Sequence, residues 1–138
     1  MKYVLDSCVA VKWVSPEADS HLAIAIRDGG HDLLAPDIFR YEIGNVLTKA
    51  VRRRKMTSEE AMKGLALIED DLPSLADSHA LFPRATEISL DAQCSIWDAF
   101  YIALAEKERC EFLTADEKLA NNVQKQFSFL TLLSTLQS

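Results

Sequence analysis

The stretch Lys2–Val14, KYVLDSCVAVKWV, decides the fold class because a strand pattern within it runs directly into a helix pattern. Lys2 to Leu5 is short and rich in residues that favour strands. Asp6 and Ser7 supply side-chain oxygens that can cap the apolar helical segment from Cys8 to Val14. The chain therefore begins as an α/β protein, with an acidic residue at the carboxyl end of its first strand.

Strand and helix patterns continue to alternate along the rest of the chain. Further strands are predicted over residues 32–35, 78–82, 111–114 and 127–132. Helices are predicted between Ser15 and Gly29, from Ile38 to about Arg53, between Thr57 and Pro73, from about Pro83 to Gln93, after the cap Ser95, and from Asp116 to about Lys125. Strands separated by helices pair in parallel, and the helices then cover both faces of one sheet. We expect a single domain over residues 1–138 with three layers, α/β/α.

The composition is that of one compact domain. Of the 138 residues, 49% are hydrophobic and 26% are charged, which is ordinary for a domain with a full core. Charged residues interrupt the N-terminus before any apolar stretch reaches the length of a signal peptide, and no later run approaches a membrane span. Three cysteines without a C-x-x-C pair argue against a disulfide framework or a zinc knuckle. We expect a cytoplasmic protein with no membrane partner.

Four acidic residues far apart in the chain lie in or at the edge of apolar segments, where an unpaired charge is costly. They are Asp6, Glu42, Asp98 and Asp116. Asp6 and Asp116 follow predicted strands, and parallel sheets bind ligands beyond the carboxyl ends of their strands. Glu42 and Asp98 lie in helical segments that are otherwise mostly apolar on one side. If the strands are neighbours, the four carboxylates converge.

Such convergence requires something that neutralises the charge. At an effective dielectric constant near 20 and a separation of about 5 Å, two carboxylates repel each other by about 3 kcal/mol. Carboxylate oxygens and water suit Mg²⁺ or Mn²⁺ better than zinc. The three histidines are scattered without ligand spacing, so a histidine-based metal site or a Ser-His-Asp triad has almost no support. We expect one shared site for Mg²⁺ or Mn²⁺.

Each acid taken singly also has a structural explanation. Asp6 and Asp116 stand between a strand and a helix, where Asp commonly caps the helix. Glu42 stands at the border of an apolar stripe, where a Glu is usually solvated. Asp98 is harder to explain because the apolar stretch from Ile96 to Ala105 contains no other charge, although the helix dipole and a cap at Ser95 favour an acid there. The four positions together are therefore more informative than any one of them.

The net charge of −6 and the pI near 5.0 ordinarily argue against a nucleic-acid partner, because phosphate binding requires basic surface. That argument is weaker here because a bound divalent ion would offset part of the acidic cluster. Four consecutive basic residues, Arg52, Arg53, Arg54 and Lys55, also form one concentrated patch. The patch fits contact with RNA phosphates or an acidic partner, and it equally fits the dipole at a helix C-terminus.

Four segments stand in an order and spacing that resemble a known family: Val4–Ser7, Glu42 with Asn45, Ser95–Ala103 and Leu113–Asp116. The family is the PIN-domain nucleases, and within it the VapC-type toxins of prokaryotic toxin–antitoxin pairs. The resemblance covers nearly the whole chain and implies a PIN-like fold with a four- to five-stranded, mostly parallel sheet. It also implies metal-dependent endonuclease activity on RNA, a homodimer and a small cognate antitoxin as a partner.

The resemblance and the chemistry of carboxylates together suggest a role for each site residue. The residues predicted to bind metal and to be catalytic are Asp6, Glu42, Asp98 and Asp116. Supporting polar groups around them are predicted at Ser7, Asn45 and Thr114. Within this scheme the three aspartates bind the first metal, and Glu42 holds a second metal or orients the attacking water.

Other functions remain open. A housekeeping nuclease of the same family would have the same site without a toxin role. An aspartyl-phosphate phosphotransfer protein also places an Asp at the end of a strand, but the phosphatase pattern needs a second Asp where Cys8 stands. A non-catalytic protein could use the acidic pocket to capture an Arg or Lys of a partner. Trp13, Trp97 and Tyr101 could stack on bases, although their apolar neighbours favour core packing.

Overall fold

The computed structural model describes residues 1–136 and contains one five-stranded sheet. The strands are β1 (Lys2–Leu5), β2 (Asp32–Pro36), β3 (Ser74–Ala76), β4 (Glu111–Thr114) and β5 (Leu130–Leu132). They pair in the order β3-β2-β1-β4-β5, and all four pairings are parallel. The predicted parallel sheet is therefore confirmed, with five strands.

Helices flank the sheet and complete the three-layer α/β/α fold. Within residues 1–136 they are α1 (Ser7–Val11), α2 (Ser20–Asp28), α3 (Phe39–Arg52), α4 (Ser58–Asp70), α5 (Ser78–Ala92), α6 (Ile96–Glu108) and α7 (Glu117–Val123). A short 3₁₀-helix, Leu133–Thr135, follows β5. The predicted capping box at the start of α4 is present, because Thr57 and Glu60 each accept the backbone N–H of the other. The predicted fold class is confirmed.

The predicted strand over residues 78–82 is wrong, since this segment is the first part of α5. The carboxylate of Asp77 accepts the backbone N–H of His79 at 2.9 Å and starts the helix. Pro83 lies inside the helix, although proline usually marks a boundary. The helix continues through it because a helical stripe that includes Leu81, Ala85 and Ile88 is buried. The strand of this region is β3, which has no buried residue and therefore no apolar signal.

Three other predicted boundaries are also wrong. The first helix, predicted from Cys8 to Val14, ends at Val11. The second begins at Ser20 rather than near Ser15, because Asp19 adopts a left-handed conformation (φ 66°) that a helix cannot include. The last strand, predicted over residues 127–132, is confined to Leu130–Leu132.

The order of the strands creates a crevice at the carboxyl ends of β1 and β4. The chain passes from β1 to β2 and β3 on one side of the sheet, and then returns to β4 on the other side of β1. The connections leave β1 and β4 in opposite directions, which opens the sheet edge between them to a ligand. Val4, Leu5, Phe112 and Leu113 of these two strands are fully buried, so the crevice has a rigid floor.

Two further findings concern the cysteines and the character of the helices. Cys8, Cys94 and Cys110 are free thiols. Between residues 1 and 136, the helices all lack the combination of length and apolar character needed to cross a bilayer.

Candidate active site

Asp6 is the buried centre of the crevice. Its backbone N–H donates to the carbonyl of Leu113 at 3.0 Å, which continues the pairing of β1 with β4 and fixes where the side chain points. The carboxylate is 7% exposed and accepts the hydroxyl of Thr114 at 2.7 Å. The pKa of Asp6 is raised to about 7, mainly by burial and also by the charges of Asp98 and Glu42, which together outweigh the lowering by the Thr114 hydrogen bond. A charged Asp6 is therefore costly in the metal-free protein.

Glu42 reaches the same crevice from the first turn of α3. Its Oε1 accepts two hydroxyls, that of Tyr101 at 2.5 Å and that of Ser7 at 3.3 Å. Burial raises the pKa of Glu42, the two hydroxyls lower it, and the negative charge of Asp98 raises it. Glu42 is thus held in place by a residue of α6 and a residue of α1, and it is not the solvated border residue of the alternative interpretation.

Asp98 enters from the first turn of α6. Ser95 caps this helix as predicted, because its hydroxyl accepts the backbone N–H of Asp98 at 3.1 Å. Burial raises the pKa of the Asp98 carboxyl, Ser95 lowers it, and the charge of Asp116 raises it. Residues 99–105 that follow are all buried, so α6 is a core helix with one acid at its open end.

Asp116 is the most exposed of the four acids and has a clear structural role. Its Oδ1 accepts the backbone N–H of Leu119 at 3.0 Å and caps α7, as the structural explanation predicts. Its own N–H donates to the hydroxyl of Thr114 at 3.1 Å. Because the Thr114 hydroxyl also donates to Asp6, this residue connects the acids that follow β1 and β4.

The four acids act on one another electrostatically. Asp6 is affected by Glu42 and Asp98, Glu42 by Asp98, and Asp98 by Asp116. Within residues 1–136, no group of three or more His, Cys, Asp or Glu side chains stands close enough together to hold an ion. The structure therefore brings the four acids to one crevice, but their carboxylates do not form a complete coordination sphere for a single metal ion. Their role as ligands stays a prediction.

The donor set fits a hard divalent cation. A buried carboxylate with two further carboxyls of raised pKa around it carries more negative charge than its surroundings neutralise, and no cationic side chain is among the causes of these pKa shifts. Oxygen ligands of this kind suit Mg²⁺ or Mn²⁺.

Two site residues were missed by the sequence interpretation or left without a role there. Tyr101 is fully buried as predicted, but its hydroxyl is the short donor to Glu42, and burial raises its pKa. Its position three residues after Asp98 places both on one face of α6, which is the signal that could have indicated it. The thiol of Cys8 lies 3.7 Å from the Thr114 hydroxyl and accepts the backbone N–H of Ala115 at 3.4 Å. Burial raises its pKa well above the usual value, so it is a neutral packing group.

Two clefts flank the acids. The first has a volume of about 410 Å³ and is lined by Ile38, Tyr41, Glu42, Asn45 and Trp97. The second has a volume of about 230 Å³ and is lined by Gln93, Cys94, Ser95, Asp98, Asp116, Lys118, Leu119 and Asn122. Asn45 is exposed in the first cleft, and its predicted support of the carboxylates stays a prediction. The predicted core packing is confirmed for Trp13 and Tyr101 but is wrong for Trp97, which is 55% exposed.

The basic patch of residues 52–55 lies away from the acids. Glu42 begins α3 and Arg52 ends it, and ten residues of helix span about 15 Å. All four side chains are exposed, and none forms an ion pair with another described residue. The patch can therefore reach RNA or a partner only at a distance from the site of chemistry, and its role stays a prediction.

Known proteins that resemble this chain agree with one another. The PIN domain family matches residues 3–124, a range that contains all four acids. Ribonuclease VapC3 of Pyrobaculum aerophilum is 31% identical over 122 residues, which are 87% of this chain and 93% of that protein. Ribonuclease VapC1 of Mycobacterium tuberculosis is 34% identical over 89 residues, which are 62% of this chain and 64% of that protein.

Proposed function

The chain belongs to the PIN domain family, and within it to the VapC-type ribonucleases, and we propose that it is a metal-dependent endoribonuclease acting as the toxin of a toxin–antitoxin pair. The proposed site consists of Asp6, Glu42, Asp98 and Asp116 with Mg²⁺ or Mn²⁺. The aspartyl-phosphate alternative loses its support because the family match covers most of the chain.

The observation that supports this proposal best is the buried carboxyl of Asp6. It is 7% exposed, its pKa is raised to about 7, and two of the groups that raise it are acids from two different helices. A fold that needed Asp6 only as a helix cap would not surround it with further acids, and its side chain makes no capping bond to α1. Binding a cation gives this arrangement a physical reason, because the acids then stabilise the ion instead of repelling one another.

Hydrogen bonds from neighbouring hydroxyl groups fix the orientation of the Asp6 and Glu42 carboxylates. Thr114 donates to Oδ2 of Asp6, and both hydroxyls that reach Glu42 donate to its Oε1. The second oxygen of Glu42 is therefore free to orient a water molecule toward the scissile phosphate. Tyr101 fixes Glu42 from within the core, so that the carboxylate keeps its direction while RNA enters and leaves.

The chemistry follows from the charges. A divalent ion held by the three aspartates would increase the acidity of a bound water and neutralise charge that develops on the phosphate in the transition state. Glu42 would accept the proton of the attacking water, because its raised pKa makes it a better base than an exposed Glu. Lys118 lines the same cleft as Asp98 and Asp116, and its ammonium group would attract a phosphate next to the cut.

Charge-removing variants test the nuclease proposal. Asp6→Asn and Asp98→Asn keep the side-chain volume and should each reduce Mn²⁺-dependent cleavage of single-stranded RNA by at least 100-fold. Glu59→Gln is the matched control, because Glu59 is also an acid in the first turn of a helix but lies exposed on α4. Its rate should equal that of the wild type. Full activity of Asp98→Asn with an intact fold would contradict the proposed site.

The toxin role and the partners need separate experiments. Expression of the wild-type chain should arrest growth, expression of Asp98→Asn should not, and co-expression of the protein encoded next to it should restore growth. Normal growth with a cleaving enzyme would favour the housekeeping nuclease. The proposed homodimer predicts a sedimentation mass of about twice 15.4 kDa, whereas the mass of a single chain would contradict it.

A further inference from the structure

The cleft of about 410 Å³ beside Glu42 contains two aromatic side chains that the core does not explain. Tyr41 on α3 is 80% exposed and Trp97 on α6 is 55% exposed. Large aromatic side chains are usually buried, where their apolar area contributes most to stability. Two of them facing one cleft from different helices are therefore more consistent with a binding surface than with packing. We name this surface the Tyr41–Trp97 cleft.

The position of the cleft ties it to the acids. Tyr41 directly precedes Glu42, and Trp97 directly precedes Asp98. The indole of Trp97 also rests against the ring of Phe100, with 6.3 Å between ring centroids, so it does not depend on a ligand for its position. A group bound between these two aromatic residues would lie next to the site of chemistry without occupying it.

Resting on the proposed ribonuclease function, we propose that the Tyr41–Trp97 cleft binds one unpaired nucleobase of the RNA, next to the phosphate that is cut. Proteins that bind single-stranded nucleic acids commonly stack the bases on aromatic side chains, in addition to contacting the phosphates. Asn45, which also lines the cleft, offers an amide donor and an acceptor to the edge of such a base.

Charge and shape favour a base over other occupants. None of the residues that line the cleft is basic, so the cleft offers a phosphate no cationic partner, whereas a base is neutral and flat and fits between aromatic side chains. A helix of a protein partner needs anchor positions spaced over several turns. The cleft is too local for that, because its lining in and just before α3 lies within residues 38–45, and its remaining lining residue is Trp97 of α6. The base next to the cut therefore stacks here, and the neighbouring phosphate lies at the acids.

Cleavage of RNA with single abasic nucleotides tests this assignment. The substrates are one single-stranded RNA of mixed sequence and a series in which each position around the cut lacks its base in turn. Trp97→Ala should lower kcat/KM on intact RNA roughly 5- to 100-fold, the loss expected for one stacked base. At one position near the cut, removing the base should slow the wild type by a similar factor and should not slow Trp97→Ala further.

Control variants separate stacking from other effects. Trp97→Phe keeps an aromatic ring and should retain most of the activity. Tyr41→Ala should become insensitive to removal of the base at the same RNA position as Trp97→Ala. Leu90→Ala removes a side chain that is 74% exposed on α5 and should behave like the wild type. If removing the base and replacing Trp97 with Ala each lower kcat/KM by the same factor whether or not the other change is present, the two changes act independently and the cleft does not bind that base. Unchanged cleavage in both aromatic variants would overturn the proposal, leave the ribonuclease function intact and point to a protein partner in the cleft.

Fluorescence gives a readout that does not need cleavage. The chain has two tryptophans, and Trp13 is only 8% exposed, so a stacked base should quench mainly Trp97. In an Asp98→Asn background, RNA should quench the emission, and adding Trp97→Phe should abolish the quenching. RNA that binds by fluorescence anisotropy without quenching would overturn this proposal alone. A wild-type protein that neither binds nor cuts RNA would overturn the proposed function and this proposal together.

Discussion

Replacing Asp6 with Asn should stabilise the metal-free protein at neutral pH, and this stabilisation should disappear in acid. The pKa of Asp6 is raised from 3.8 to about 7 in the folded chain, mainly by burial. Between these two values the folded protein keeps a proton that the unfolded chain has lost, so its stability falls as the pH rises through that window. Asn has nearly the same volume, carries no charge, and can still accept the Thr114 hydroxyl.

The size of the effect follows from the two pKa values. They differ by about three, and at about 1.36 kcal/mol for each pKa unit the charged form costs up to about 4 kcal/mol. We expect the free energy of unfolding of Asp6→Asn, relative to that of the wild type, to rise by about 2 to 4 kcal/mol between pH 4 and pH 8. Urea unfolding in the presence of EDTA measures this difference at each pH.

A second substitution and a metal titration complete the experiment. Asp28→Asn is the control, because the hydrogen bond from Arg27 lowers the pKa of the exposed Asp28 below the usual 3.8. Its effect on stability has the opposite sign and changes only in more acidic solution, so the difference between Asp28→Asn and the wild type should stay nearly constant from about pH 5 to pH 8. Saturating Mg²⁺, at a hundred times its dissociation constant, should stabilise the wild type by about 2.7 kcal/mol and Asp6→Asn far less. A difference between Asp6→Asn and the wild type that does not change with pH would refute the claim that Asp6 is buried among like charges.

Three further predictions concern the groups around the acids. Thr114→Val removes the donor to Asp6 and should lower the cleavage rate tenfold or more, since a hydrogen bond to a charged group contributes about 1.5 to 3 kcal/mol; initial rates in Mn²⁺ measure this. Tyr101→Phe should lower the free energy of unfolding by about 1 kcal/mol, and an unchanged urea midpoint would show that the bond to Glu42 does not contribute to stability. Lys118→Ala should weaken RNA binding about equally for every sequence and reduce the salt slope of log affinity by about 0.7, as measured by anisotropy at several salt concentrations; a loss for one sequence alone would contradict a phosphate contact.

Local signals were sufficient for the parts of the fold that are specified by neighbouring residues. The box of Thr57 and Glu60 and the cap at Ser95 were predicted correctly because each depends on groups three residues apart. The segment 78–82 was misinterpreted because Pro83 indicated a boundary, whereas the cap at Asp77 and packing against α6 keep the segment helical. β3 was missed because its three residues are held by pairing with β2 and not by an apolar pattern.

The sequence determined which residues are acidic, which of them end a strand or begin a helix, and that the class is α/β. These properties depend on residue type and on contacts within a few positions along the chain. Tertiary structure alone decided that β1 and β4 are neighbours, and hence that Thr114, 108 positions from Asp6 in the sequence, connects Asp6 to Asp116. It also decided that Tyr101 reaches Glu42 and that Trp97 stays exposed beside Tyr41. The physical reason is that burial and charge coupling depend on distances in space, which the order of residues does not specify.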